Sequence, residues 1–206
     1  MHSIIPCTLN DSEEPSFPLK KTLEEIRNEL GFTETDIVFV YSGSSADWQS
    51  LKLVDDFILF QMKINSSIKF LLLANSQIEE LKSYKEFPNR VTQKWVKASE
   101  VSDYLVASDY GILIREDSVT NEVASPTKFA EYLNAGLKVL ISENIGDFST
   151  FTKDNACGNV IKELEGDYSF TKITYSEKLN NFNLAQKNFS KSVYEESYKT
   201  IVNLLK

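Results

Sequence analysis

Six short strand-like runs, most of them apolar, alternate with segments of helical periodicity along this chain of 206 residues. The runs are rich in β-branched residues and lie at 36–41, 68–74, 91–96, 110–114, 138–141 and 158–161. Continuous apolar runs of this length are typical of parallel strands that are buried on both faces. The alternation therefore predicts an α/β fold, a Rossmann-like three-layer sandwich with a parallel sheet of about six strands and helices on both faces.

The intervening segments carry apolar residues at helical spacing. We expect helices at 19–30, 48–62, about 76–84, 100–107 and 126–135, and two more in the tail at 176–206. Gly31 and Gly136 each follow a predicted helix, at the position where a left-handed residue commonly ends one. The first 18 residues contain three prolines and little periodicity, so they are predicted to form an extended lead-in to a single domain, 1–206.

Charge and composition exclude several classes of function. A net charge of −8 argues against general binding of nucleic acid or of an anionic membrane. The only histidine is His2, and the two cysteines, Cys7 and Cys157, are far apart, so we expect no histidine-rich or cysteine-rich metal site. This cysteine usage predicts a reduced, cytoplasmic protein, and no run approaches the roughly 18 apolar residues of a membrane span.

The predicted helix after residue 125 carries the clearest candidate site. Ser125 is predicted to be its N-cap, and the free amides of its first turn would bind a phosphate together with the Thr127 hydroxyl and the Lys128 ammonium. Glu131 shares a face with Lys128, and its carboxylate suits a ribose diol. An ordinary helix start with a Lys128–Glu131 surface ion pair explains the same residues, and on composition alone it is the more common case.

Two loops that follow predicted strands add further candidates. Gly43 and Ser44 come directly after the first strand, where small residues let a phosphate approach the backbone. Arg115, Glu116 and Asp117 follow the fourth strand and could bind sugar hydroxyls. An ordinary strand-to-helix loop and a solvated charged loop are the alternatives at these two places.

A third loop follows the predicted third strand. Trp95 and Val96 lie there, and a nucleobase would fit against them through apolar contact and main-chain groups. The alternative is that Trp95 belongs to the core.

The order of these pieces is similar to the C-terminal, donor-binding domain of GT-B glycosyltransferases of family 4, the group 1 family. The segment from Glu131 to Leu140 matches that family's Glu-Ala-x-Ala-x-Gly-x-Pro-Val pattern and is the most specific part of the likeness. Residues 4–10 resemble the segment that enters the domain, 27–31 its first helix, 38–43 its first strand and glycine loop, and 106–111 a later strand entry.

The resemblance implies the donor-binding domain of a retaining glycosyltransferase of the hexosyltransferase type. Such an enzyme moves a sugar from a nucleoside diphosphate sugar to a glycan or lipid-linked acceptor, as in surface polysaccharide biosynthesis. It implies diphosphate binding at 125–128, with the Gly43–Ser44 loop beneath, and ribose binding at Glu131. No metal or other cofactor is expected. The partner would be an N-terminal acceptor-binding domain, which we expect to be absent from this chain, and only through that domain would we expect peripheral attachment to the inner face of a membrane. The fragment alone is not expected to transfer sugar.

The chain also departs from the family pattern. Val123 stands where the family often has a second glutamate that contacts the donor sugar, and Glu122 is one position away. Basic residues common after the first strand are missing, which would make Lys128 the main phosphate cation. Lys138 replaces a proline. Because of these departures, the sequence does not identify the donor sugar.

Two other functions fit parts of the sequence. A sugar-nucleotide epimerase of GT-B-like fold would use acid and base groups, and the lack of any histidine beyond His2 argues against it. A non-enzymatic nucleotide-binding module would need only the residues that bind the nucleotide and no catalytic groups.

Overall fold

The computed structural model describes residues 5–9, 17–43, 48–75 and 77–204, without the side chains of 48–50 and 204. Its six strands form one sheet in which every neighbouring pair is parallel. The strands are β1 (Ile37–Ser42), β2 (Ile68–Leu73), β3 (Val91–Gln93), β4 (Tyr110–Leu113), β5 (Lys138–Ser142) and β6 (Gly158–Ile161). Their order, β3-β2-β1-β4-β5-β6, is that of a doubly wound Rossmann-like sheet and confirms the predicted fold class.

The α-helices within the described residues connect and cover these strands. They are α1 (Lys20–Glu29), α2 (Trp48–Ile64), α3 (Lys82–Glu86), α4 (Val101–Leu105), α5 (Val119–Glu122), α6 (Thr127–Asn134), α7 (Phe148–Asp154), α8 (Tyr175–Phe189) and α9 (Glu195–Leu204). One buried apolar cluster includes residues of α2, and a second includes residues of α1, α6 and α8. Because both clusters also contain strand residues, the sheet is covered on both faces, as predicted.

Several predicted boundaries are wrong for identifiable reasons. The helix expected at about 76–84 begins only at Lys82, because the Asp55 carboxylate of α2 accepts hydrogen bonds from the backbone N–H groups of Lys82 (2.7 Å) and Ser83 (3.0 Å). A short 3₁₀ turn, Ile78–Glu80, precedes it. The third strand ends at Gln93 rather than at residue 96. The polar loop expected after β4 contains α5, whose N-cap Ser118 accepts a hydrogen bond from the Asn121 N–H.

The structure describes residues 5–9 and 17–18 of the lead-in. Residues 5–9 form hydrogen bonds with the rest of the domain. The Leu9 N–H donates to the carbonyl of Phe189 (2.8 Å), and Leu9 forms an isolated parallel bridge with Ser190. The Cys7 N–H donates to the Ser125 hydroxyl (2.9 Å). The lead-in therefore contacts the beginning of the segment that holds the candidate site.

A buried ion pair fixes α1 against the sheet. Asp109, just before β4, accepts hydrogen bonds from the backbone N–H of Val38 (2.8 Å) and from Nη1 of Arg27 (3.3 Å). Arg27 also donates to the carbonyls of Ala107 (2.8 Å) and Asp36 (2.6 Å). Both charged side chains are almost fully buried. This network holds β1 and β4 in register at the amino ends of the two strands that flank the candidate site.

The side chain of Tyr132 is fully buried in α6, where it packs against β4 and contacts the carboxyl end of β1. Its hydroxyl accepts a hydrogen bond from the Ser42 N–H (3.1 Å), and a Cβ atom at Gly111 would lie only 2.4 Å from its ring. We therefore expect Gly111→Ala to lower the free energy of unfolding by about 1–3 kcal/mol, since the ring or the strand must move. Chemical denaturation measures this. The double variant Gly111→Ala/Tyr132→Leu should cost less than the two single changes added together; strict additivity would contradict the proposed clash.

Candidate functional site

The site lies where the direction of the strand order changes. In sheets of this order, ligands bind outside the carboxyl ends of the strands at the switch point, here between β1 and β4. Gly43 follows β1, Arg115 follows β4 after one intervening residue, and α6 begins beside them. The fold therefore places three of the predicted segments at one edge of the sheet.

The start of α6 differs from the prediction in one respect. Pro126, with extended backbone angles (φ −73°, ψ 118°), occupies the N-cap position, and no side chain caps the helix there. Ser125 is therefore one residue too early to be the cap, and its exposed hydroxyl accepts the Cys7 N–H instead. At the other end, Gly136 follows the helix with φ +75°, as predicted. Within the first turn of α6 the Phe129 N–H donates to the carbonyl of Pro126 (3.0 Å). The positive end of the helix dipole at this turn favours an anion.

The structure brings Lys128 and Gly43 together. The Lys128 ammonium lies 4.9 Å from the centre of the Tyr41 ring, a distance suited to a cation–π contact. A Cβ atom at Gly43 would lie 3.0 Å from the same ammonium nitrogen. The small residue after β1 thus leaves room for the cation of α6, while Ser44, the other candidate in this loop, lies outside the described residues.

An open cavity of about 480 Å³ joins five of the predicted binding residues. It is lined by Arg115, Ala124, Ser125, Pro126, Thr127, Lys128 and Glu131. Glu131 is exposed as a residue, yet partial burial of its carboxyl group raises its pKa, and the nearby Lys128 ammonium lowers it in part. The cavity therefore combines two cations and a helix start with one carboxylate that faces Lys128.

Arg115 is oriented by an asparagine that the sequence analysis did not single out. Nη1 of Arg115 donates to Oδ1 of Asn121 (3.3 Å), and the Asn121 amide donates to the carbonyl of Glu116 (2.7 Å). The Asn121 carbonyl also accepts the N–H of Gly146 (3.1 Å), from the loop after β5. Only the Ser118-x-x-Asn121 spacing of an N-capped turn hinted at this, because the other partners are distant in sequence.

No protein-family model and no curated protein sequence matches this chain. Solved structures do match, among them WaaG, a glycosyltransferase involved in lipopolysaccharide biosynthesis, which covers 95% of this chain with a TM-score of 0.67 at 14% identity. The C-terminal domain of LpcC, a group 1 family glycosyl transferase from Francisella tularensis, covers 88% of this chain and 95% of its own length, with a TM-score of 0.51 at 9% identity. The chain has the fold of the C-terminal domain of a group 1 glycosyltransferase.

A third match is HepE from Anabaena, whose crystal structure contains UDP and glucose; it covers 90% of this chain with a TM-score of 0.60 at 13% identity. The chain spans 55% of WaaG and 53% of HepE. At these identities the likeness concerns the fold, and at that level it confirms the family resemblance. The structural neighbours are glycosyltransferases.

Other predicted residues lie outside the cavity. Glu116 and Glu122 are exposed and do not line it. Trp95 follows β3 and is 69% exposed, so the alternative that it belongs to the core is wrong. Its ring, with the half-buried Val96, lies on the β3 side of the sheet rather than in the cavity beside α6.

The described residues also bear on metal binding and membrane crossing. Over the described ranges, no three His, Cys, Asp or Glu side chains are grouped so that they could hold a metal ion. Among the helices of the same ranges, none is both long and apolar enough to cross a membrane. The expectation that no metal is needed stays a prediction.

Proposed function

We propose that this chain is the donor-binding domain of a glycosyltransferase and that it binds a nucleoside diphosphate sugar with the diphosphate at the start of α6. One observation carries the proposal. Lys128, Arg115 and the first turn of α6 converge on a single cavity at the switch point of the sheet. The fold shared with solved glycosyltransferases supports the same assignment.

The electrostatics of the cavity suit a diphosphate, although the chain as a whole carries a charge of −8. The positive end of the α6 dipole, the Lys128 ammonium and the Arg115 guanidinium all face one cavity. When the bond between the donor's sugar and its diphosphate breaks, negative charge grows on the leaving diphosphate. Fixed positive groups at that position stabilise this charge and lower the barrier to transfer.

Glu131 is assigned to the ribose. Beside a diphosphate its carboxylate would be repelled, unless it accepts hydrogen bonds from a neutral diol. It lies one turn beyond Lys128 on the same face of α6, which places a ribose next to the diphosphate. Burial raises the pKa of this carboxyl group, and the Lys128 ammonium offsets part of that rise.

Calorimetric titration of the chain with UDP, GDP, ADP and dTDP tests the proposal, with the corresponding nucleosides as controls. We expect at least one diphosphate to bind and its nucleoside to bind far more weakly, because most of the binding groups address phosphate. Absence of detectable binding at millimolar concentrations of every diphosphate would overturn the proposal.

The affinity for the diphosphate should also change with pH, because the Glu131 carboxylate can take up a proton. The pKa of its carboxyl group is raised above the ordinary value, so protonation begins at a higher pH than for an exposed glutamate. As the pH falls from neutral through that raised pKa, wild type should lose affinity more steeply than Glu131→Gln, which has no proton to gain. Titration of the ligand's own phosphates affects both proteins equally. The measurement is therefore the difference between the affinity–pH profiles of wild type and Glu131→Gln. Parallel profiles would count against the ribose assignment.

The finer assignments are also proposals. We propose that the enzyme retains the anomeric configuration, is cytoplasmic and uses a glycan or lipid-linked acceptor bound by a second, N-terminal domain. The chain's span of about half of WaaG and HepE supports the two-domain arrangement.

We further propose that donor binding needs no metal, because Lys128 and Arg115 supply the positive charge. Affinity for the diphosphate should then be unchanged by EDTA; a large loss would contradict this.

A further inference from the structure

A cavity of about 310 Å³ lies at the edge of the sheet opposite the candidate site. Thr33 and Glu34, which precede β1, and Asp109, which directly precedes β4, contribute to its lining together with residues of α1 and α8. The cavity is therefore at the amino ends of these strands, whereas the diphosphate is proposed to bind at their carboxyl ends. A ligand held here occupies a different site from the donor, and its binding does not depend on the proposed function.

Positive charge exceeds negative charge in the lining of this cavity. The charged side chains are the cations Lys20, Arg27, Lys172 and Lys178 and the carboxylates Glu24, Glu34 and Asp109. Lys20 and Glu24 are exposed and pair with each other (3.6 Å), and Glu34 is also exposed. The less exposed part of the lining therefore combines three cations, two of them buried, with one buried carboxylate, Asp109.

The pKa values of two of these lysines reflect the excess of positive charge. Burial lowers the pKa of Lys178 to about 8; Asp109 offsets part of that shift, while Arg27 and Lys172 add to it. The pKa of Lys172 is lowered as well, mainly by burial and further by Arg27. An anion beside the two lysines would stabilise their charged forms.

The hydrogen bonds of this cluster leave some of its buried polar atoms unpaired. Among the described residues, Nε of Arg27 and Oδ1 of Asp109 are buried without a hydrogen-bond partner. The Lys178 ammonium donates to the carbonyls of Val106 (3.2 Å) and Ser108, which uses two of its three N–H donors. Buried polar groups are nearly always paired in folded proteins. A ligand that both accepts and donates hydrogen bonds therefore suits the side chains that line this cavity.

We propose that this cavity binds a small organic anion that carries a hydroxyl group beside a phosphate or carboxylate group. The anionic oxygens accept hydrogen bonds from Arg27, Lys172 and Lys178. The hydroxyl donates to the Asp109 carboxylate, which would repel a ligand that offers acceptors alone. The carbon part of the ligand lies against apolar side chains. These are Leu23, Phe32, Val106 and Ile173.

Calorimetric titration of the chain with glycerol 3-phosphate and with lactate tests the proposal, and sodium chloride holds the ionic strength constant. Glycerol, which lacks the charge, and inorganic phosphate, which lacks the carbon part and its hydroxyls, are the control ligands. We expect at least one of the organic anions to bind at a single site, and glycerol not to bind.

Variants then assign the binding to this cavity. Lys172→Gln should weaken the binding of the organic anion about tenfold, because it removes a charged donor, and Lys172→Arg should retain most of the affinity. Lys153→Gln, which changes an exposed lysine of α7, is the matched control for net charge and should bind as wild type does. Lys128→Ala, which alters the cavity beside α6, should also leave the affinity unchanged.

The two organic anions identify the charged group that the cavity prefers, since lactate carries a carboxylate and glycerol 3-phosphate carries a phosphate. Absence of binding by both at millimolar concentrations would overturn the inference. Wild-type affinity in Lys172→Gln would also overturn it, and loss of binding in Lys128→Ala would then place the anion in the cavity beside α6. Inorganic phosphate that binds as tightly as glycerol 3-phosphate would contradict the role of the hydroxyl group. A thermal midpoint of Lys172→Gln close to that of wild type shows that the lost affinity reflects binding rather than unfolding.

Discussion

Replacing Lys128 by alanine is expected to lower the affinity of the chain for a nucleoside diphosphate by about 10- to 100-fold, the size of a charge-assisted hydrogen bond to phosphate. The ammonium is the cation of α6 closest to Gly43 and lines the cavity at the start of that helix. Without it, Arg115 and the backbone amides are the groups that the described part of the cavity offers to balance the diphosphate charge. The effect should shrink as salt is added, because the lost interaction is partly open to solvent.

The control for this change is Lys153→Ala, which removes an exposed lysine from α7, a different helix. It alters the net charge of the protein by the same amount, so a general electrostatic effect would appear in both variants. We expect its affinity to match wild type. Equal losses in the two variants, or wild-type affinity in Lys128→Ala, would place the diphosphate away from α6.

The change Asp109→Ala is expected to lower the free energy of unfolding by about 3–5 kcal/mol, because it leaves the buried Arg27 guanidinium without its counter-charge. It also removes the acceptor of the Val38 N–H. The fully buried Lys178 has a pKa lowered to about 8, mainly by burial, and Asp109 offsets part of that shift. Its ammonium should therefore become harder to keep charged in the variant. Thermal denaturation should show a midpoint lower by roughly 10 °C.

Two comparisons isolate the buried pair as the cause. Lys21→Ala breaks an exposed ion pair with Glu25 on α1 and should change stability by at most about 1 kcal/mol. The double variant Asp109→Ala/Arg27→Met removes both charges and should be more stable than Asp109→Ala alone. A double variant that is less stable than the single one would mean that the guanidinium is not destabilised by losing its partner.

Most of the strands could be predicted from the sequence because they contain runs of apolar residues, whereas β3 has the sequence Val-Thr-Gln and its end was predicted wrongly. β6 was predicted with its observed limits, Gly158–Ile161, and β1 was displaced by one residue. The helix α7 was missed because it has only seven residues, and its buried side chains include Ser149 and Thr152, which weaken the apolar pattern. The start of α3 depends on Asp55, more than 25 residues away, so local pattern could not place it.

For the candidate site, the sequence indicated the residues but not their contacts. Lys128 and Glu131 were found from helical spacing, which is a local property. The approach of Gly43 to Lys128 and the use of the Ser125 hydroxyl by Cys7 depend on segments more than 80 residues apart. Asn121 is the clearest residue that the sequence did not indicate. Its hydrogen bonds to Arg115, Glu116 and Gly146 form only when the segment after β4 and the loop after β5 are folded next to each other.

A crystal structure of the chain with a bound nucleoside diphosphate tests the central claim most directly. We predict phosphate oxygens within about 3 Å of first-turn amide nitrogens of α6 and of the Lys128 ammonium nitrogen. The ribose hydroxyls should lie against the Glu131 carboxylate. A diphosphate bound elsewhere on the chain, or phosphates at α6 with the ribose directed away from Glu131, would contradict the account.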